Sequence, residues 1–385
     1  MKNISYGRQF IDKRDIKAVN KVLKSDWLTQ GPKVKEFENA ICEYTGAKYA
    51  VAVSNATAAL HNACLVGGIG QGDEVITSPI TFVASANCVL YCGGKPVFAD
   101  IQNDTINIDP AEVKNRINKR TKAIIPVHFA GHPANLDEIC QIAKKHKLLV
   151  IEDAAHALGA EYKGLKIGSC KYSDMAIFSF HPVKSITTGE GGAVLTNRKD
   201  LYEKLLIFRN HGITKDASCF TNYCSRTMGS WYYEQQYLGF NYRITDFQCA
   251  LGLSQLKKLD KFVEKRRRIV NMYQRGLSGM GGITLPQEKA HVKSAWHIYC
   301  IRLKNYTERK RIFEKLQKSG IWPQVHYIPV HLQPYYREKF GYREGDYPNA
   351  ENYYKRAMSI PLYPSMTKRD VKYVIDNLAG LKELR

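Results

Sequence analysis

The stretch Met175-Ala176-Ile177-Phe178-Ser179-Phe180-His181-Pro182-Val183-Lys184-Ser185-Ile186-Thr187-Thr188-Gly189-Glu190-Gly191-Gly192-Ala193-Val194-Leu195-Thr196 sets one lysine between two apolar segments. Residues 175–180 read as a strand buried on both faces, and residues 192–196 as a second. Lysines ordinarily occupy solvated helix faces, so an amine at the end of a buried strand needs a reason. An amine is a good nucleophile only when deprotonated, and burial near other cations lowers its pKa toward the working range. The chemistry that commonly uses such a lysine is a Schiff base with an aldehyde, either a substrate or pyridoxal phosphate. A lysine that snorkels out of a loop or pairs with an acid is the plainer alternative.

Outward from this stretch, short apolar runs alternate with helical patterns. Residues 49–54, 74–78, 96–101, 123–129 and 148–153 read as strands, with helices such as 57–66 and 136–147 between them. That alternation predicts an α/β class with a mostly parallel sheet covered on both faces. Upstream, Ile16, Val19, Val22 and Leu23 recur at helical spacing. Pro32 opens a second helix that ends at Gly46, with Phe37, Ile41 and Tyr44 inward. Downstream come an irregular aromatic segment (215–237), a long helix (245–277) with a break near Asp260, and a boundary at residues 279–282. A strand (296–303), a helix (308–319), an extended aromatic piece (322–330) and a last helix (368–381) follow. A chain of 385 residues exceeds one simple core. The expected division is a large α/β unit over residues 12–257 and a smaller α+β unit over 258–385 joined by residues 1–11.

The charge of +21, from 57 basic and 36 acidic residues, favours anionic partners. Nucleic acid is one class; a phosphorylated substrate with a phosphorylated cofactor is another. The densest basic run, Lys265-Arg266-Arg267-Arg268, lies in a predicted helix and reads as a solvated face. No zinc-finger or RNP-type pattern accompanies it. Ten scattered cysteines, Cys224 among them, form no CxxC pair, which fits reduced thiols in a cytosolic protein. No apolar run is long enough to span a membrane, and residues 1–10 lack a signal-peptide core, so the cytoplasm is the expected location.

In open α/β sheets, ligands bind at the carboxyl ends of strands. Three polar groups fall there. Ser54-Asn55-Ala56-Thr57 follows a strand and opens a helix, which suits a phosphate or, more plainly, is an N-cap by Asn55 or Thr57. Asp153 ends a strand; it is either structural or the partner of a pyridinium nitrogen. Ser179 and Lys184 end and follow another. Phe82 either stacks on a cofactor ring or packs in the core. His128, His132 and His156 lack metal-ligand spacing, so no metal is expected. Neither GxGxxG after a strand nor GxSxG occurs.

A longer series of motifs carries a resemblance. It comprises Leu28-Thr29-Gln30-Gly31-Pro32, Asn55-Ala56-Thr57-Ala58-Ala59-Leu60, Gly72-Asp73-Glu74-Val75-Ile76, Thr81-Phe82-Val83-Ala84-Ser85-Ala86-Asn87 and Pro126-Val127-His128-Phe129-Ala130-Gly131. Glu152-Asp153-Ala154-Ala155-His156-Ala157-Leu158-Gly159, Ser179-Phe180-His181-Pro182-Val183-Lys184 and Gly239-Phe240-Asn241-Tyr242-Arg243 complete it. In this order the chain resembles the DegT/DnrJ/StrS-type sugar aminotransferases along essentially its whole length. The resemblance implies the type I (aspartate aminotransferase-like) fold, pyridoxal phosphate, and a homodimer with sites at its interface. It implies that Lys184 forms the Schiff base and moves the proton, that Asp153 pairs with the pyridine nitrogen, and that His156 lies near the phenolic oxygen. Phe82 would stack on the ring; Ala56, Thr57 and Ser179 would hold the phosphate, with Asn241 reaching in from the other subunit.

Within that family, Tyr6, Asp26-Trp27-Leu28-Thr29 and Gln324-Val325-His326-Tyr327 resemble the nucleotide-sugar contacts of the branch that serves pseudaminic acid biosynthesis. That likeness implies transfer of an amino group from L-glutamate to C4 of a UDP-linked 4-keto-6-deoxy-2-acetamido sugar. The aromatic segment 218–237 is longer than the loop the resemblance leads one to expect. Three other readings stand beside it: a 3- or 4-amino-sugar transaminase acting on a dTDP- or GDP-sugar, a dehydratase (whose relatives carry His in place of the lysine), and a DNA-binding regulator of the same fold. No helix-turn-helix pattern precedes the domain to support the last.

Overall fold

Alternation of side chains along seven strands builds the centre of the molecule, whose computed structural model describes residues 3–222 and 228–384. The strands are Tyr49–Val53 (β1), Glu74–Thr77 (β2), Lys95–Phe98 (β3), Thr121–Ile125 (β4), Leu149–Asp153 (β5), Met175–Ser179 (β6) and Gly192–Thr196 (β7). Their order across the sheet is β1-β7-β6-β5-β4-β2-β3. Every pairing is parallel except those of β7, which runs antiparallel to both β1 and β6. Thus β1 to β6 all point one way, and the expected mostly parallel sheet is present.

Successive residues of a strand face opposite sides, and both sides are covered here. Ala50, Ala52, Phe178, Ala193 and Leu195 pack with Phe37 and Ile41 of helix Pro32–Thr45 and with Cys249 and Leu256 of helix Asp246–Leu256. Val51, Val53, Ile177 and Val194 face the other way, onto Ala59 and Leu60 of helix Ala56–Val66 and onto Leu201 and Leu205 of helix Lys199–Arg209. Each fully buried Phe or Ile contributes roughly 2 kcal/mol. A second cluster lies around the antiparallel strands Ile283–Thr284 (β8), Tyr299–Leu303 (β9) and Ala357–Ile360 (β10). The later turns of helix Leu259–Leu277 and the last helix, Lys368–Ala379, close it through Ile269, Tyr273, Leu277, Val371 and Val374.

Several boundaries differ from expectation. Strand β4 stops at Ile125, not at 129, because Pro126 has no N–H to continue the ladder. Strand β3 stops at Phe98; beyond it the Asp100 carboxylate takes the amides of Ile101, Asn349 and Ala350. The long helix is broken at residues 257–258 into Asp246–Leu256 and Leu259–Leu277. Within the aromatic segment, Ala217–Cys219 is a single 3₁₀ turn and Glu234–Gln235 pairs with Ile213–Thr214. Residues 223–227 of that segment, Cys224 included, lie outside the described residues. The cysteines that are described are all free thiols. No helix among the described residues is long and apolar enough to cross a membrane.

Two polar groups correct the reading of the helices. In the first helix, Lys13–Leu23, Ile16 and Leu23 are exposed while Asp15 is buried. Asp15 accepts from Lys258 Nζ (2.6 Å), Gln255 Nε2 (2.8 Å), Ser254 Oγ (2.6 Å) and the Asp12 amide (2.9 Å). The helix therefore docks by a carboxylate on the break at residues 257–258. The basic run 265–268 is a solvated face only in part: Lys265 and Arg268 are exposed, while Arg266 and Arg267 turn inward. Arg266 is 1% exposed and donates to three backbone carbonyls, Arg267 is bidentate to Glu288, and Arg268 pairs with Glu264.

Breaking a buried ion pair strands the partner charge. Asp15→Ala should therefore destabilise the protein by about 3 kcal/mol, read as a lowered urea midpoint at unchanged slope. A loss within the range of surface substitutions would show that the Lys258 pairing does not dock this helix.

Candidate active site at the carboxyl edge of the sheet

Because β7 enters where its neighbours end, Gly192 sits in register with both Val53 and Ser179. The turn after β1 and the turn after β6 are therefore neighbours across one glycine. A Cβ on Gly192 would lie 2.6 Å from the Asn55 carbonyl carbon and 2.7 Å from the Ala56 nitrogen, so only glycine admits this approach. Asn55 is the N-cap of helix Ala56–Val66, its Oδ1 accepting from the Ala58 amide at 2.8 Å. The plain reading of Asn55 is correct, and it leaves the Ala56 and Thr57 amides as first-turn donors without a helical acceptor. Ser179, buried at the end of β6, adds a hydroxyl across Gly192. A helix N-terminus with a neighbouring hydroxyl suits a phosphate.

Lys184 follows β6 in a turn closed by its amide on the His181 carbonyl (2.9 Å). Burial lowers its amine to a pKa of about 8, with the charge of Asp153 pulling the other way. Of the two causes expected from sequence, burial acts and neighbouring cations do not. Asp153 ends β5, beside β6. Its Oδ2 accepts from Ser85 Oγ at 2.6 Å, and its Oδ1 from the Ala155 amide at 3.1 Å. Ser85 is in turn bonded to Thr81 Oγ1 (2.7 Å).

Three buried imidazoles feel the charge of that amine. His156, 6% exposed, is held well below its ordinary pKa, first by burial and then by Lys184 and His326. Its Nε2 meets the Tyr327 hydroxyl at 3.1 Å, and its Nδ1 is buried without a partner. His326 is pushed down to about 3 by burial and by Lys184. Its Nδ1 lies 2.8 Å from Ser359 Oγ, and its ring lies 5.3 Å from that of Tyr6. His297 is held low by burial and by His156, Lys184 and Arg266, in that order. Phe82 is 60% exposed, so packing in the core is excluded; its ring lies 6.4 Å from that of Tyr327.

The fold thus brings Lys184, Asp153, His156, Tyr6, His326 and Tyr327 together, with Ala56, Thr57 and Ser179 along the same strand ends. It leaves Asp26, Trp27, Leu28, Thr29, Gln324 and Asn241 exposed. Trp27 and Leu28 lie instead against residues 31 and 246, and no hydrogen bond among the described residues joins them to the lysine. Val325 is half-buried, its amide on Gln324 Oε1. Sequence reasoning missed Ser85 and His297. Ser85 lies one turn beyond Phe82 inside a quoted motif, which was a usable signal; His297 had none. Among the described residues, no group of three or more His, Cys, Asp or Glu is placed to hold a metal ion.

The chain is similar to known proteins along nearly its whole length. The model of the DegT/DnrJ/EryC1/StrS aminotransferase family matches residues 9–379. The spore coat polysaccharide biosynthesis protein SpsC of Bacillus subtilis is 43% identical over 377 residues, 97% of this chain and 95% of that protein. The UDP-4-amino-4,6-dideoxy-N-acetyl-beta-L-altrosamine transaminase of Campylobacter jejuni (strain 81-176) is 43% identical over 385 residues, 99% and 98% of the two chains. The solved structure of Helicobacter pylori PseC, an aminotransferase involved in pseudaminic acid biosynthesis, superimposes with a TM-score of 0.90 at 37% identity and covers 98% of each chain. The residues present fit pyridoxal phosphate: an orphaned buried nitrogen on His156, an uncovered aromatic at Phe82, and free helix-end donors at Ala56 and Thr57.

In protein stripped of cofactor, the Lys184 amine should react with trinitrobenzenesulfonate along a pH curve centred near 8, well below the ordinary 10.5. Asp153→Asn removes the group that raises this pKa, so the midpoint should move lower still. Peptide mapping of the labelled lysine reads both; a midpoint near the ordinary value would contradict the burial argument.

Proposed function

The chain belongs to the DegT/DnrJ/EryC1/StrS aminotransferase family, and from that premise we propose a donor, an acceptor and a role for each residue of the site. It is a pyridoxal-phosphate-dependent sugar aminotransferase of the type I fold. In our reading the donor is L-glutamate. The acceptor is C4 of a UDP-linked 4-keto-6-deoxy-2-acetamido sugar, and the product is a 4-amino-4,6-dideoxy UDP-sugar for pseudaminic acid biosynthesis. The observation that carries the reading is the Lys184 amine, desolvated to a pKa near 8 beside Asp153, its charge acting on the buried His156 and His326, with Tyr327 bonded to His156. The choice of sugar is supported by the full-length likeness to a transaminase named for such a product.

Pyridoxal phosphate, when bound, supplies an electron sink for charge developing on the carbon next to the transferred nitrogen. The chain supplies the rest. Lys184 Nζ takes the proton from Cα of glutamate and delivers one to C4 of the sugar; its lowered pKa keeps a useful fraction neutral at working pH. Asp153, fixed by Ser85 and the Ala155 amide, presents a carboxylate that keeps a proton on the ring nitrogen. His156 offers Nδ1 to the phenolic oxygen while Tyr327 holds its other nitrogen. Ala56, Thr57 and Ser179 hold the phosphate, and Phe82 covers the ring. Asn241, exposed on its own chain, serves the phosphate of a second copy in a homodimer. Tyr6, Gln324, Val325, His326 and Tyr327 line the sugar side, and the exposed residues 26–29 contact the nucleotide.

Incubating the enzyme with L-glutamate and a panel of UDP- and dTDP-linked ketosugars, with product mass and NMR configuration as readouts, tests the assignment. The 4-keto-6-deoxy-2-acetamido UDP-sugar should gain one amine and outcompete the dTDP-sugars. Release of deoxygenated product without nitrogen would instead mark a dehydratase. Lys184→Ala should lower turnover at least about 10²-fold, the scale of a lost general acid–base; turnover at the wild-type rate would overturn the role given to Lys184.

A further inference from the structure

Two strained turns meet behind His156. One is Phe129–Gly131, with Ala130 at φ 58° and Gly131 at φ 91°. The other passes through Trp296 at φ 47°, a conformation that an aromatic residue adopts only when its surroundings over-determine it. The turns clasp each other: the His297 amide donates to the Ala130 carbonyl (2.9 Å) and the Ala295 amide to the Gly131 carbonyl (3.0 Å). A Cβ on Gly131 would lie 2.9 Å from the His156 carbonyl oxygen and 3.0 Å from the nitrogens of Trp296 and His297. Arg266 secures the clasp from below, donating to the carbonyls of His297 (2.8 Å), Leu362 (2.8 Å) and Trp296 (3.4 Å).

What this scaffold presents is the His297 ring. It is 4% exposed, lies 4.3 Å from the His156 ring at 38° between planes, and has a buried Nδ1 with no partner. His156 is then gripped twice, at its Nε2 edge by Tyr327 and on its face by His297, and Nδ1 is left as its one free nitrogen.

We propose that His297 is a positioning residue: through its ring contact it sets the orientation in which His156 presents Nδ1 to the cofactor, and the Arg266-tied clasp of residues 129–131 and 295–297 holds it there. The inference rests on the reading of His156 and Lys184 as cofactor-facing groups. It differs from general stabilisation because it acts only through His156.

A double-mutant cycle on the whole protein tests it, reading the dissociation constant of pyridoxal phosphate and the absorption band of the bound cofactor. His297→Leu, which keeps volume and loses the flat ring, should weaken binding by about tenfold and shift the band when His156 is present. In the His156→Ala background the same change should alter binding by less than about twofold. His297→Phe, which restores the ring, should recover affinity. Equal losses in the two backgrounds, no loss in either, or a phenylalanine variant no better than leucine would each overturn the proposal. Should the leucine variant lose its circular dichroism signature of folding, His297→Asn carries the same cycle. If the wild-type protein itself fails to bind pyridoxal phosphate, the reading of Lys184 falls; additive losses with intact wild-type binding remove only the role of His297.

Discussion

Burying an amine at the carboxyl edge of a sheet is the constraint around which this molecule is arranged. Desolvation disfavours the charged form, and Lys184 has only the opposing charge of Asp153 to offset it. For that balance to arise, two strand ends and one turn must converge. The common direction of β1 to β6 puts Val53, Asp153 and Ser179 on one edge, and the reversed β7 brings Gly192 into register with two of them. A side chain at residue 192 would push the start of helix Ala56–Val66 off the edge, and the anion cradle would part from the lysine.

The carboxylate is governed with equal care. Asp153 is the last residue of a buried parallel strand, where an unpartnered charge would be costly. Ser85 and the Ala155 amide each give it one hydrogen bond, and Thr81 holds Ser85 in turn. Those hydroxyls come from the start of helix Ala84–Tyr91 and the turn before it. The same turn leaves Phe82 uncovered over the edge. One short segment thus serves the carboxylate from one side and offers an aromatic face on the other.

How far this was legible in the sequence depended on where each partner lies. Strand alternation, the Asn55 cap, the Gly46 helix end and the isolation of Lys184 are local patterns, and each is found where its residues indicated. The buried Asp15 went unnoticed because its partners, Ser254, Gln255 and Lys258, are about 240 residues away and carry no period that a helix pattern could show. Arg266 was misread for a related reason: its acceptors are backbone carbonyls, which leave no residue signature. Phe82 could not be divided between core and cofactor by sequence, since an aromatic after a buried strand satisfies either. His297 escaped notice because its contact with His156 comes from a turn whose shape depends on Gly131 and Trp296 rather than on any motif.

The neutrality of the imidazoles explains why the lysine can work without a cation beside it. His156, His297 and His326 are each driven down first by burial, and the charge of Lys184 adds to the effect on all three. The coupling is reciprocal in principle: a protonated imidazole in any of these places would repel the ammonium, while a neutral one leaves the lysine to desolvation and Asp153 alone. The pKa near 8 has those two causes and no cationic one. Arg266, a permanent cation, is kept behind the histidines with its donors on carbonyl oxygens. Carbonyl dipoles lessen its field without bringing a counter-charge that would raise the lysine again. A carboxylate partner for Arg266 would have stabilised the guanidinium more simply, but it would have placed a second anion near Lys184 and moved the amine back toward its ordinary, protonated state.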